Sequence, residues 1–245
     1  MRSVIFVSAV GAIAVAASFA SGVRAEVSAA AGSSSACFNQ GLYAKGAVVD
    51  YDTKISGDGE AMTFRSVNTG KGGATFNGVD ALRVDTETFD AKGKSEGVIA
   101  GYFDITPDFL LIIASKSKDS ETTYDPAGRQ PINQSEGDTY KQKYEVTTTT
   151  KGAGSLTSSR QATWKFVGVE SLKSKVGKFK VCKIIAKFVD KFGGFSTTST
   201  QTIYVAAEGK YRGFALRTKM ATKLATGQSL NTTTDVVKFR KFAPK

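Results

Sequence analysis

Histidine is absent from this 245-residue chain, and cysteine occurs only twice. Without imidazole there is no Ser-His-Asp triad and no His-based acid–base pair. Two cysteines alone cannot complete a zinc coordination set. No Gly-x-Ser-x-Gly elbow and no glycine-rich phosphate loop leading into a helix is present either. Beyond Ala20 no apolar run approaches the length of a membrane-spanning helix, and no helical periodicity of any length is evident. These absences point to a protein that is not an enzyme, with no cofactor and no metal. A hydrolase working with two carboxylates alone is the one enzymatic class they leave open.

What is present begins with an address. Arg2 gives a short positive start, Val4 to Ala20 form an apolar run, and Val23-Arg24-Ala25 place small residues at the −3 and −1 positions of a cleavage site. That is the layout of a signal peptide over residues 1–25, cut after Ala25, which implies a periplasmic or secreted product. Cys37 follows Ser-Ser-Ser-Ala, but the apolar region ends well before it and no Leu lies three residues upstream, which disfavours lipidation there. In an oxidising compartment an even pair of cysteines is expected to bond, so Cys37–Cys182 is the expected disulfide. It would tether an N-terminal segment, 26–46, to a distant strand.

The mature chain reads as antiparallel all-β. Stretches rich in β-branched and aromatic residues, several of them alternating, run from Val98 to Ile105, Phe109 to Ala114, Lys141 to Thr150, Ala162 to Val169, Phe179 to Val189, Ser199 to Ala206, Gly213 to Lys219 and Thr234 to Phe242. Turn chemistry marks "SGDG" at 56–59, "GKGG" at 70–73, "DPAG" at 125–128 and "KFGG" at 191–194. Two segments align with each other: "FNGVDALRVDTETF" (76–89) and "FVGVESLKSKVGKF" (166–179) share Phe, Gly, Val, Leu and a final Phe at identical spacing. The alignment suggests a first β repeat over 47–116, a connector over 117–140 and a second β repeat over 141–245. Two tandem meanders would join into a curved sheet or half-open barrel; a β-sandwich is the alternative.

The second copy, "TWKFVGVESLKSKVGKFKVCKI", resembles a strand pair of uncharacterised exported bacterial proteins, in which a Phe-x-Gly-x-Glu strand leads to a Gly-x-Phe-x-x-Cys strand. It is also loosely similar to the half-barrel of periplasmic lipoprotein carriers. The match covers about 20 residues, and Lys173 to Lys175 stand where those proteins have a small-residue turn. The resemblance implies a compartment and a β architecture, and brings no catalytic residues.

Charge divides unevenly. Residues 26–125 carry 9 Lys/Arg and 15 Asp/Glu, whereas residues 126–245 carry 22 and 7. A basic half of +15 in an exported protein points to lipid, lipopolysaccharide or another envelope polyanion as partner, and not to nucleic acid. The candidate anion-binding residues are Lys173, Lys175, Lys178, Lys180, Lys183 and Lys187, all on one hairpin. Phe103, Phe109, Trp164, Phe166 and Phe188 are candidate walls of an apolar pocket. The expected function is binding of an apolar or amphipathic anionic ligand or envelope component. The alternative is a structural or surface-interaction protein that uses its Thr-rich strands and takes no small ligand.

Overall fold

The computed structural model describes residues 32–57 and 60–245, and of Glu60 the backbone only. The expected signal peptide and residues 26–31 lie outside the described residues. Two short 3₁₀ turns, Ser34–Cys37 and Gln40–Tyr43, precede twelve strands: β1 Val48–Gly57, β2 Glu60–Phe76, β3 Val79–Phe89, β4 Ser95–Ile105, β5 Phe109–Lys116, β6 Ser120–Pro131, β7 Thr139–Thr150, β8 Gly154–Ser174, β9 Gly177–Phe192, β10 Phe195–Ala206, β11 Ala215–Lys223 and β12 Ser229–Ala243. Each strand pairs antiparallel with its sequence neighbour. β1 also pairs with β12, from Val48↔Ala243 to Ser56↔Thr233, and the sheet closes into a barrel.

Closure corrects the expected architecture. The fold is neither an open curved sheet, nor a half-open barrel, nor a sandwich, and the likeness to a carrier half-barrel ends with it. The physical reason is the edge. A sheet ending at β1 and β12 would expose two long rows of unpaired N–H and C=O groups, and pairing them with each other removes both. The expected connector, 117–140, holds β6. The two aligned segments take different local forms: Asn77–Gly78 is the β2–β3 turn, both residues at positive φ (47° and 81°), while Gly168 sits at a bulge inside β8. "GKGG" is a bulge within β2, and a side chain at Gly70 would overlap the carbonyl oxygen of Ala44.

Alternation sets the two faces. On β7, Tyr144 and Val146 are buried while Lys141, Lys143 and Glu145 are exposed; on β9, Cys182, Ile184 and Ala186 are buried while Lys187 is exposed. The outer surface of these strands is therefore charged, unlike the apolar belt of a membrane barrel. Among the described residues no helix is long and apolar enough to cross a membrane.

One end of the barrel is stoppered. Residues 33–47 lie across the end where β1 begins, and they are tied to several elements at once. Ser34 N donates to Gln134 O (2.8 Å), and Gln134 N to Ser34 Oγ (2.8 Å). Arg212 Nε donates to Ala36 O (2.8 Å), Gly70 N to Ala47 O (2.9 Å) and Lys245 N to Gly41 O (2.9 Å). Leu42 and the fully buried Tyr43 pack against Val49, Leu82, Phe103 and Phe214. The Cys37–Cys182 disulfide fixes this segment to β9. The turns at the opposite end, 90–94, 117–119, 151–153, 193–194 and 224–228, surround the mouth.

Candidate ligand-binding cavity

Between stopper and mouth the barrel encloses a cavity of about 420 Å³, within the size range of small-molecule sites. Its floor is made by Cys37, Phe38 and Tyr43 of the stopper. Aromatic side chains on the inward rows of β6 to β9 form one wall: Tyr124, Tyr144, Trp164 and Phe188. Trp164 and Phe188 meet edge to face with centroids 5.5 Å apart, and Tyr124 and Tyr144 stand at 6.0 Å. Towards the mouth the lining turns polar, with Ser115, Thr197, Ser199, Gln201 and Thr222.

One ion pair faces this space. Arg160 on β8 and Asp190 on β9 are cross-strand partners, and both line the cavity. Nε of Arg160 donates to Oδ1 of Asp190 at 2.6 Å, and Nη2 to Oδ2 at 3.0 Å, the two-point geometry of a strong charge-assisted pair. The guanidinium also lies 5.3 Å from the Phe188 ring centroid. Burial works against its charge, but the hydrogen bond and the charge of Asp190 outweigh it and raise its pKa. The described residues hold seven other ion pairs, and none has both members on the cavity.

The β6–β7 seam forms part of the wall. Backbone pairing between these strands stops at Asp125↔Glu145. Beyond it Gln142 bridges the gap with its side chain, accepting from Arg129 N (2.7 Å) and donating to Ala127 O (2.9 Å). Gly128, Arg129 and Gln130 line the cavity there.

Of the aromatic residues expected to form a pocket, Phe103, Trp164 and Phe188 line the cavity. Phe109 packs on Tyr140 at 4.9 Å beneath Arg129, and Phe166 is fully buried in the wall's core. None of the six candidate lysines lines the cavity. Lys173 and Lys178 face each other across the β8–β9 hairpin, with Lys175 in its turn. Lys180 and Lys187 are exposed, and Lys183 Nζ lies 3.3 Å from Glu170 Oε2 and 6.0 Å from the Tyr204 ring centroid. Sequence reasoning missed Arg160 and Asp190. A signal was available, since Arg160, Ala162 and Trp164 alternate on one face.

Burial pushes the Tyr144 phenol up to about 12, against a smaller opposing influence from Arg160. The unfolded chain releases this proton near pH ~10, the folded barrel only near ~12. The stability it carries is thus intact below pH ~10 and is lost as pH rises through ~12, by roughly 3 kcal/mol for a shift of this size. Tyr43, Tyr51 and Tyr124, also raised by burial, act with the same sign. Urea midpoints should therefore fall steadily across this alkaline window, and less steeply in Tyr144→Phe. A flat profile would contradict the burial of these phenols.

Fold and site together define a closed twelve-stranded antiparallel β-barrel, stoppered at one end by its own N-terminal segment and hollow behind an aromatic wall. Two solved structures resemble it. One is a protein described as a "putative lipoprotein" from Parabacteroides distasonis, 12% identical, with TM-score 0.52 over 81% of this chain and 96% of that one. The other is a "putative exported protein with YmcC-like fold" from Bacteroides fragilis, 11% identical, with TM-score 0.52 over 81% of this chain and 97% of that one. At these identities the likeness is one of fold. No protein-family model matches the chain, and no curated protein does.

Proposed function

We propose that this is an exported, non-enzymatic binding protein that shelters the apolar part of an amphipathic molecule inside its barrel. The observation that carries the reading is the unfilled, aromatic-walled cavity of about 420 Å³ with a single ion pair set into it. A purely structural barrel gains dispersion energy and stability by filling its interior. The hydrocarbon portion of a ligand would lie against Trp164, Phe188 and Ile184. Because Asp190 already neutralises Arg160, the pair would hydrogen-bond a polar, uncharged part of the ligand, leaving an anionic end to point towards the mouth. The reading of the chain as non-catalytic draws on the same lining. Asp190 is the only carboxylate among the described cavity residues, whereas hydrolysis by carboxylates requires two facing a common bond. Export is supported by the N-terminal sequence together with the disulfide, a bond that persists in oxidising compartments. The two similar structures, described as lipoprotein and exported protein, accord with that address.

The chain holds one tryptophan, and it lines the cavity, so ligand entry can be read directly. Titration with a lysophospholipid below its micelle concentration should give a saturable blue shift and intensity change of Trp164, with one ligand per chain by native mass spectrometry. Replacing the pair together, Arg160→Met with Asp190→Leu, avoids stranding a lone charge. It should weaken lysophospholipid binding about tenfold, the cost of one charge-assisted hydrogen bond, while retaining the fold. An unresponsive Trp164 and a bare mass in gently purified protein would sink the reading.

A further inference from the structure

Seven large apolar side chains of the described barrel are strongly exposed, and their distribution is uneven. Val79 and Val169 lie elsewhere, but Met62, Val98, Ile99, Leu156 and Phe195 all stand within the first few residues of strands that start at the mouth. Met62, Leu156 and Phe195 are each 61% exposed. Scattered exposed apolar residues are ordinary, whereas a collection on one rim is not. Alternation explains how they arise. Phe195 keeps step with Thr197, Ser199 and Gln201, and Leu156 keeps step with Arg160 and Trp164, so both continue inward-facing rows past the polar upper cavity to the lip. Phe192, at the end of β9, lies 6.3 Å from Phe195 across the turn.

One arc of this lip carries positive charge with no carboxylate in its own mouth-proximal segments. On the arc formed by β7 to β12, exposed Lys151, Lys191 and Lys223 stand in or beside the mouth turns. The mouth-proximal segments 147–158, 191–201 and 219–230 contain no Asp or Glu, and Asp190 is held inside by Arg160. The rest of the mouth mixes signs: exposed Lys92, Lys94 and Lys118 stand with exposed Glu96 and Asp119, and the backbone carbonyl of Asp119 accepts from Lys151 N at 2.8 Å. An apolar lip flanked by lysines, on segments that hold no carboxylate, complements an anionic lipid surface, where rings and aliphatic chains enter the interface and ammonium groups meet phosphates.

We propose that the barrel docks mouth-first on an anionic lipid bilayer, the β7–β12 arc leading, with Leu156 and Phe195 in the interface and Lys151, Lys191 and Lys223 on the headgroups. The mouth is also where the cavity reaches Thr197, Thr222 and Leu224, so docking sets the opening towards the lipid. This deepens the proposed function by giving the ligand a source, but it stands on the outer lip and is tested separately.

The test is sedimentation of the intact mature protein with phosphatidylcholine vesicles, with and without phosphatidylglycerol. Binding should require phosphatidylglycerol and weaken as salt rises. Lys151→Gln, Lys191→Gln and Lys223→Gln should each lower partitioning about fivefold. Leu156→Ser with Phe195→Ser should lower it at least tenfold; these side chains are exposed, and an unchanged thermal midpoint would show that the fold survives. Lys173→Gln with Lys178→Gln, at the stoppered end, should change nothing. Absence of binding to phosphatidylglycerol vesicles overturns the proposal, as does binding that follows Lys173 and Lys178 instead of the lip. Self-association abolished by Phe195→Ser, without vesicle binding, would assign the lip to a protein surface and also overturn it. A Trp164 response to lysophospholipid alongside failed docking would leave the cavity reading intact, so the two failures are distinguishable.

Discussion

Replacing both cysteines, Cys37→Ala with Cys182→Ala, lowers the stability of the barrel by about 5 kcal/mol on the chain-entropy estimate for a loop of this length. The bond spans 145 residues, so in the unfolded chain it forbids a large share of the conformations otherwise available. Small proteins hold only about 5–15 kcal/mol in total. The unbridged protein should therefore unfold at far lower urea, and the intact protein should behave the same way in reductant. The stopper has other anchors: Tyr43 is fully buried, and Arg212 and Gln134 hold its backbone. Those contacts act in the folded state and leave the unfolded chain unrestrained. A midpoint shift worth less than about 1 kcal/mol would mean that the denatured ensemble is already compact around this linkage. The bond could not then be the staple described above.

The second large effect separates core from cavity wall. Phe166 and Phe188 are both aromatic residues of the β8–β9 pair, yet Phe166 is fully buried while Phe188 is half-buried and borders empty space. Phe166→Ala strips a ring from close packing against Cys182, Ile184 and their neighbours, and should cost about 3–5 kcal/mol. Phe188→Ala enlarges a hollow that already exists and forfeits fewer contacts, so about 2 kcal/mol or less is expected. Its main effect should fall on ligand binding through the lost contact with Trp164. Equal costs in denaturant titration would show that both rings are core and that the hollow behind Phe188 is closed in solution.

The strands were legible where alternation is plain and β-branched residues are frequent. All eight segments expected from pattern fall within β4, β5 and β7 to β12, apart from the first residues of the Gly213–Lys219 segment. β1 alternates just as cleanly, Val49, Tyr51, Thr53 and Ile55 against Asp50, Asp52 and Lys54, but its alternate positions carry carboxylates, which strands seldom hold. They serve as partners for arginines, Asp50 with Arg65 and Asp52 with Arg240, on the outer face. β6 was hidden by "DPAG", whose turn chemistry is real but sits at a wide irregularity inside a strand. The lysine hairpin was also visible, but counting charges along a strand does not say which end of a barrel the hairpin occupies. The five candidate wall aromatics divided, because alternation places a ring on the inward face without saying whether other side chains fill the space in front of it.

By itself the amino-acid sequence determined composition-level and local properties: an N-terminal stretch with the layout of an export signal, an all-β chain, a lone cysteine pair able to join only to itself, and a basic second half. These follow from residue chemistry and from periods of two, which short-range sterics enforce. Only the tertiary structure decided that β1 meets β12, that residues 33–47 stopper one end, and that Arg160 and Asp190 face a hollow. Each depends on groups far apart in sequence being brought together. Pairing of first and last strands is favoured by the backbone hydrogen bonds of two otherwise open edges, and those are the same for every residue type.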